Sequence, residues 1–141
     1  MTETQIQIGV MYWAGQRSLT CPALKLLHHI PNEGKRSPQQ GAMMKQAGLK
    51  SGVPDLFLPV AKNGFHGLYI ELKNGHKKPT ANQTWWLEKL SEQGYACYVC
   101  ESLGAAVAVV SDYLTIDPGI GITEADQKGI IPIKWRRNDE H

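Results

Sequence analysis

Gly52-Val53-Pro54-Asp55-Leu56-Phe57-Leu58, a polar break at Lys62-Asn63-Gly64, and then Gly67-Leu68-Tyr69-Ile70-Glu71-Leu72-Lys73 form the stretch that decides how this chain folds. Two apolar runs of strand length flank an Asn-Gly, the strongest short-range signal for a β-hairpin. Each run carries charge in apolar company: Asp55 opens the first, and Glu71 and Lys73 close the second. Side chains alternate along a strand, so Glu71 and Lys73 leave on one face and Leu72 on the other. The hairpin brings Asp55 back beside them. Two carboxylates and an amine at one end of a buried hairpin are costly unless they bind something, and a divalent metal ion is the partner these groups suggest. Positions 55 and 71 are equidistant from 63, so they face each other only if the turn is centred on Asn63. A tight two-residue Asn63-Gly64 turn alone would slip the register by one and send them to opposite faces. An odd-length loop or a bulge around Asn63 is therefore expected.

Outward from the hairpin, the 141 residues suit one domain with a substantial core, 42% hydrophobic and 20% charged as in ordinary globular chains. No apolar run approaches the roughly 20 residues needed to cross a bilayer. The first residues, Met1-Thr2-Glu3-Thr4-Gln5, lack the basic and apolar regions of a signal peptide, so a cytoplasmic protein is expected, with no membrane partner. The cysteines (Cys21, Cys97 and Cys100) fit buried thiols in a reducing compartment; Cys97-x-x-Cys100 sits inside an expected strand. The formal charge of +2 names no partner, but its distribution is uneven. Lys35, Arg36, Lys45 and Lys50 lie between Gly34 and Gly52 with no acidic residue among them. Lys77 and Lys78 follow Lys73, and Lys134, Arg136 and Arg137 lie near the C-terminus. Such clusters can track phosphates, or simply form a solvated surface.

Along the chain, Glu3 to Ala14 alternates briefly at Gln5-Ile6-Gln7-Ile8. Ile6, Val10 and Trp13 nevertheless keep helical spacing, and Thr2-x-x-Gln5 fits a capping box, so a helix is preferred. Leu24 to Ile30 reads as helix or strand, and its bounding prolines favour a buried strand over 25–30. His28 and His29 would then point to opposite faces and cannot chelate one ion together. Ser37-Pro38-Gln39-Gln40 starts a helix that runs to about Ala47 and stops at Gly48. Thr80-x-x-Gln83 starts another through Trp86, Leu87 and Leu90 to Gly94, followed by a strand over 95–100 and a helix from Ser102 through Leu114. Trp86 with Leu90 reads as core, which leaves Trp85 as the exposed ring with a base-stacking reading. Beyond Asp117-Pro118-Gly119 the pattern dissolves, and residues 117–141 read as an arm, a dimer element or a basic tail. The division expected is a domain over 1–116 and an extension over 117–141. The expected class is α/β, a central mixed four-stranded sheet flanked by helices.

Asp55 and Glu71 suit a hard cation such as Mg²⁺, which takes one or two carboxylates and leaves its other positions to water and phosphate. Lys73 stands on the same face, placed to serve a nucleophile or a phosphate. Pro54-Asp55, a gap, and Glu71-Leu72-Lys73 thus form a P-D…E-x-K pattern. With Ile30-Pro31-Asn32, Gly34-Lys35-Arg36, Gly48, Lys50 to Leu56, His66 to Lys73, Gln83 and Gln93-Gly94-Tyr95, it resembles the VRR-NUC (virus-type replication-repair nuclease) family of the restriction-endonuclease-like superfamily, over roughly residues 2 to 114. The resemblance is strongest to small stand-alone phage and prophage members. It implies a restriction-endonuclease-like core and a metal-dependent endonuclease with Mg²⁺, or Mn²⁺ in its stead, acting on branched or flapped DNA. For the small members it implies a homodimer cutting four-way junctions in replication, recombination or repair. The catalytic set carried over is Asp55, Glu71, Lys73 and Gln83. The metal set is Asp55, Glu71, the Leu72 carbonyl and an early acidic residue, Glu3 in preference to Glu33. Gln83 also has a sufficient role as a cap. Lys35, Arg36, Lys50, Lys77 and Lys78 would hold DNA phosphates. The alternative readings are a flap nuclease of the same mechanism and a junction-binding protein that has lost catalysis.

Overall fold

The structure is a computed structural model that describes residues 1–31 and 37–134. At its centre β2 (Leu56–Leu58) and β3 (Leu68–Leu72) pair antiparallel, with Leu56 opposite Ile70, Phe57 opposite Tyr69 and Leu58 opposite Leu68. That is the register centred on Asn63. Asn63 and Gly64 do form a tight turn, with φ of 55° and 84°, closed by the Lys62–Phe65 bridge. Two successive positive φ values are what a type I′ turn requires, and Asn-Gly supplies them at least cost. Between this tip and the strands, residues 59–61 face only 66–67, and the extra residue restores the odd register. The tip is not loose: Lys62 Nζ donates to the Leu114 carbonyl at 2.7 Å and Asn63 Nδ2 to that of Tyr113 at 3.2 Å. Both carbonyls belong to the last turn of a helix, where no intrahelical partner remains.

Five strands follow one another across the sheet in chain order: β1 (His28–His29), β2, β3, β4 (Ala96–Cys100) and β5 (Ile130–Pro132). Only β3 and β4 run parallel, and the helix between them, α3 (Ala81–Glu92), makes the crossover that parallel neighbours need. Alternation sorts the side chains by face. Leu56, Leu58, Leu68, Ile70, Leu72, Ala96 and Cys100 join the main core with α1 (Glu3–Arg17) and α4 (Leu103–Leu114). The other face is covered by α3, whose Leu87 is fully buried against Cys97 and Val99, with Tyr69, Leu90 and Tyr95 at the margin. On that face Phe57 stacks on Tyr69, ring centroids 4.2 Å apart, and Tyr95 packs edge-on to both. Asp55, Glu71 and Lys73 continue the same rows beyond the aromatic cluster.

The capping boxes at Thr2–Gln5, Ser37–Gln40 and Thr80–Gln83 all form, starting α1, α2 (Pro38–Gln46) and α3. Two expectations fail. The buried strand over 25–30 is instead a 3₁₀ turn, Pro22–Leu26, followed by the two exposed residues of β1. Leu24 and Leu27 are both buried, and a spacing of three suits a 3₁₀ turn that starts at a proline. The sheet also has five strands rather than four. Beyond Asp117, α5 (Glu124–Lys128) begins at a Thr123–Asp126 capping box, and β5 then pairs with β4 as an edge strand where Pro132 is tolerated. Cys97 and Cys100 lie on opposite faces of β4, and burial pushes the Cys97 thiol up to about 12 and that of Cys100 further, so both stay protonated packing groups.

Candidate active site

β2 begins at Leu56, so Asp55 sits just before the first rung of the ladder to β3. Its carboxylate takes over as acceptor: Oδ2 receives the Leu72 backbone N–H at 2.7 Å. Its main-chain carbonyl is held from the other side by the Ile30 N–H at 2.8 Å and by His29 Nδ1 at 3.0 Å. His29 is thus spent on backbone near the site, and His28 Nδ1 likewise engages the Leu26 carbonyl. Glu71, opposite Asp55 on the same face, is 1% exposed, and its Oε1 is buried without a hydrogen-bond partner. Lys73, one pleat further, is 7% exposed, and its backbone N–H is tied to the Cys100 carbonyl at 3.0 Å.

These groups strain one another electrically. Burial pushes the Glu71 carboxyl up to about 9; the Asp55 charge and a hydrogen bond to Asp55 add to the rise, and Lys73 pulls the other way. Burial also raises Asp55, while the Leu72 N–H and the bond from Glu71 lower it. Of the two, Glu71 is the carboxyl whose charged form the fold disfavours more. Glu3 adds a negative field that raises both.

The two carboxylates open onto a cavity of about 410 Å³ lined by Glu3, Ser51, Gly52, Asp55, Glu71, Thr80, Asn82 and Gln83. Three segments build it. The first turn of α1 brings Glu3, whose Oε2 accepts from the Asn74 N–H at 3.3 Å. The first turn of α3 brings Asn82 and Gln83, with Gln83 Oε1 accepting from the Thr80 N–H at 2.9 Å as part of the cap. The loop 48–54 brings Ser51 and Gly52. It is strapped to α3 by Asn82 Nδ2, which donates to the Ser51 carbonyl at 2.8 Å and to its Oγ at 2.9 Å, and by Trp86 Nε1, which donates to the same carbonyl at 3.0 Å. Gly52 has φ +88°, and a Cβ there would stand 2.7 Å from Asn82 Nδ2. Only glycine allows the loop to lie this close to α3. Trp86, expected in the core, serves as this strap, and Leu87 fills the core instead.

The structure thus gathers Glu3, Asp55, Glu71 and Gln83 around one cavity. Lys73 is buried behind Glu71 and does not line the wall. Lys50 is exposed beside Ser51, and Lys77 and Lys78 are exposed on the loop that leads to Thr80. Lys35, Arg36 and Glu33 lie outside the described residues, as do Arg136 and Arg137. The residues that sequence reasoning missed are Ser51 and Asn82; the Ser-Gly turn before Pro54 was the only local signal. Among the described residues no three His, Cys, Asp or Glu side chains come together as a metal-holding group. The side chains of this wall that could hold a cation are the carboxyls of Asp55, Glu71 and Glu3, few and all oxygen. That suits a hydrated hard cation such as Mg²⁺ rather than zinc, which prefers nitrogen and sulfur. The partnerless Glu71 oxygen and the raised pair are what a cation at this point would relieve.

Residues 1–103 match the sequence profile of the VRR-NUC domain. A solved structure described as a VRR_NUC domain protein superimposes with a TM-score of 0.70 at 30% identity, covering 82% of this chain and 90% of that one. No curated protein matches the chain.

Proposed function

The chain belongs to the VRR-NUC family, nucleases of the restriction-endonuclease-like type, and from that premise we propose that it is a divalent-metal-dependent endodeoxyribonuclease that cuts branched DNA, four-way junctions foremost. The observation that carries the reading is the Asp55–Glu71 pair, two carboxyls on the wall of one cavity, with a buried Glu71 oxygen that has no hydrogen-bond partner. In this reading Asp55, Glu71 and the Leu72 carbonyl hold Mg²⁺ or Mn²⁺. When bound, the ion supplies a water of lowered pKa and offsets the charge that builds on the scissile phosphate. Asp55 is kept in place by the Leu72 N–H. Glu71 would ligate as the carboxylate, and Lys73, buried beside it on the same face, favours that charged form. Gln83 and Glu3 close the far wall and position the water and the phosphate. Lys50, Lys77 and Lys78 hold flanking phosphates, contacts that fix register without reading sequence.

Two equivalent strands must be cut in a four-way junction, which a two-fold dimer matches. The outer face of α1 supports such a dimer. Between Glu3 and Arg17 the helix carries no charged residue, and Ile8 and Tyr12, one turn apart, are exposed, Tyr12 to 70%. Charge depletion around exposed apolar and aromatic side chains is the mark of an interface core.

The test is incubation of the pure protein with labelled four-way junction, flap and linear duplex, with Mg²⁺, with Mn²⁺ and with EDTA. Metal-dependent cutting of the junction that disappears in Asp55→Ala and Glu71→Ala is expected. Cutting that persists in EDTA would overturn the mechanism, and binding without cutting in either metal would leave a junction-binding protein.

A further inference from the structure

Trp85 is a large aromatic side chain that neither the fold nor the site accounts for. It is 51% exposed, on the second turn of α3, whose first turn lines the cavity with Asn82 and Gln83. Trp85 is not itself part of the cavity wall; Asn82, which is, lies three residues before it, about one turn nearer the helix start and on the same side of α3. Its neighbour Trp86 meets it edge-on, ring centroids 5.3 Å apart and planes at 89°. Trp86 is itself fixed, because its ring N–H is bonded to the Ser51 carbonyl at the cavity wall. Trp85 is thus an open aromatic face braced by a ring that the site already anchors. On the flanks are Lys50, next to Ser51, and Lys77 and Lys78, on the segment leading into α3. The result is a polar cavity, exposed cations on the segments that lead into its wall, and an exposed indole one turn along α3 from Asn82.

We propose that Trp85 is the specificity-determining platform of this nuclease, on which an unpaired nucleobase next to the scissile phosphate stacks. The inference rests on the nuclease reading for the word scissile, but its core is the recognition of an unstacked base. Every base has a π-face, so an aromatic beside a cationic track binds single-stranded or splayed nucleotides with little regard for sequence. A base inside a duplex has both faces covered by its neighbours and cannot use the indole. A base unstacked at a branch can. Trp85 therefore favours branched over linear DNA without any contact to a base edge. The brace matters too: a ring already held by Trp86 loses little rotamer freedom when a base lands on it, so more of the stacking energy appears as binding.

The experiment places 2-aminopurine, whose fluorescence is quenched by stacking, at successive positions around the branch of a flap and of a four-way junction. Wild-type protein is bound in EDTA, where nothing is cut. Quenching at a position next to the cleavage site is expected. Trp85→Ala should remove it and weaken binding of branched DNA by about tenfold more than of linear duplex, in the range of one stacked base. Trp85→Phe should restore both. Lack of quenching at every position by the wild type, or a Trp85→Ala variant that keeps the branched-to-linear ratio, overturns the proposal. The wild-type quenching needs no variant, so it decides the matter even if Trp85→Ala does not fold. Cleavage assays with Mg²⁺ and Mn²⁺ on the same DNAs separate the two readings: an uncut but quenched substrate sinks the nuclease and leaves the platform, whereas a cut but unquenched one does the reverse.

Discussion

Burial, with the Asp55 charge beside it, pushes the Glu71 carboxyl well above the usual carboxylate range. Its carboxyl is raised from 4.5 to about 9, so over that interval the folded chain binds a proton that the unfolded chain has released. Stability of the metal-free protein must then fall as pH rises through this window, and it is fully present only below it. Thermal melts across the window should show a decline of several degrees, which Glu71→Gln largely abolishes; a flat profile in the wild type would remove the argument. A metal ion that takes the place of the proton must displace it. Calorimetric titration with Mn²⁺ at neutral pH, repeated in buffers of different ionisation enthalpy, should report release of about one proton per ion, and none in Glu71→Gln. Gly52 makes a second case at the scale of one residue. With φ +88° and Asn82 packed against it, Gly52→Ala meets both a disfavoured backbone and a clash. Denaturant titration should give a loss of about 1–3 kcal/mol. Because the same loop delivers Asp55, turnover should fall further than DNA affinity does.

Among the elements, the hairpin links sequence to chemistry most directly. Its tip follows local rules, Asn63-Gly64 in a type I′ turn, while its strands keep the register that brings Asp55 opposite Glu71, and the extra residue in 59–61 reconciles the two. Deleting Ala61 should let the tip dictate the pairing and slip the strands by one. The expected result is loss of Mn²⁺-induced proton release and of cleavage; retained cleavage would show that the bulge does not set the register. This register was legible because period-2 alternation and the position of Asn63 constrain it jointly. The three capping boxes were legible because the box is a short-range hydrogen-bond pattern written in two residue types. What was not legible depended on distant partners. Leu24 and Leu27 suit either a strand or a 3₁₀ turn until the core they enter is known. Ile130-Ile131-Pro132 is too short to read as a strand without β4 beside it, although Thr123-x-x-Asp126 before it was a usable signal. Asn82 and Ser51 are ordinary polar residues whose meeting, 31 positions apart, only the crossover of α3 creates.

At the scale of the molecule, the segment beyond Asp117 is bound into the rest at several points. β5 covers the open edge of β4, Trp13 Nε1 donates to the Pro118 carbonyl at 2.7 Å, and the Ser102 hydroxyl at the head of α4 donates to Asp126 Oδ1 at 2.7 Å. Removing residues 117–141 should bare the β4 edge and lower the melting temperature, and light scattering should detect aggregation that such an edge invites. The exposed side of α1, next to the start of that segment, raises the question of assembly. α1 presents Ile6, Val10, Trp13 and Ala14 to the core, yet its solvent side is uncharged from Thr4 to Gln16 and carries Ile8 and Tyr12. A helix bathed in water on that side gains nothing from lacking charge, whereas one packed on its own copy does. If the two-fold axis passes between Ile8 and Tyr12, each Glu3 lies about 10 Å from it along the helix, and two cavities open toward opposite ends of an antiparallel α1 pair. Tyr12→Glu leaves the core face and the cavity untouched but puts two like charges at the centre of that contact. Analytical ultracentrifugation should find the variant monomeric where the wild type is a dimer. A junction in which only one strand is nicked per binding event should then replace paired incision, while cutting of a single flap is kept. A Tyr12→Glu protein that remains dimeric would move the interface elsewhere; a wild type that sediments as a monomer even with junction bound would remove the dimer, and with it the reason for preferring the four-way junction over the flap.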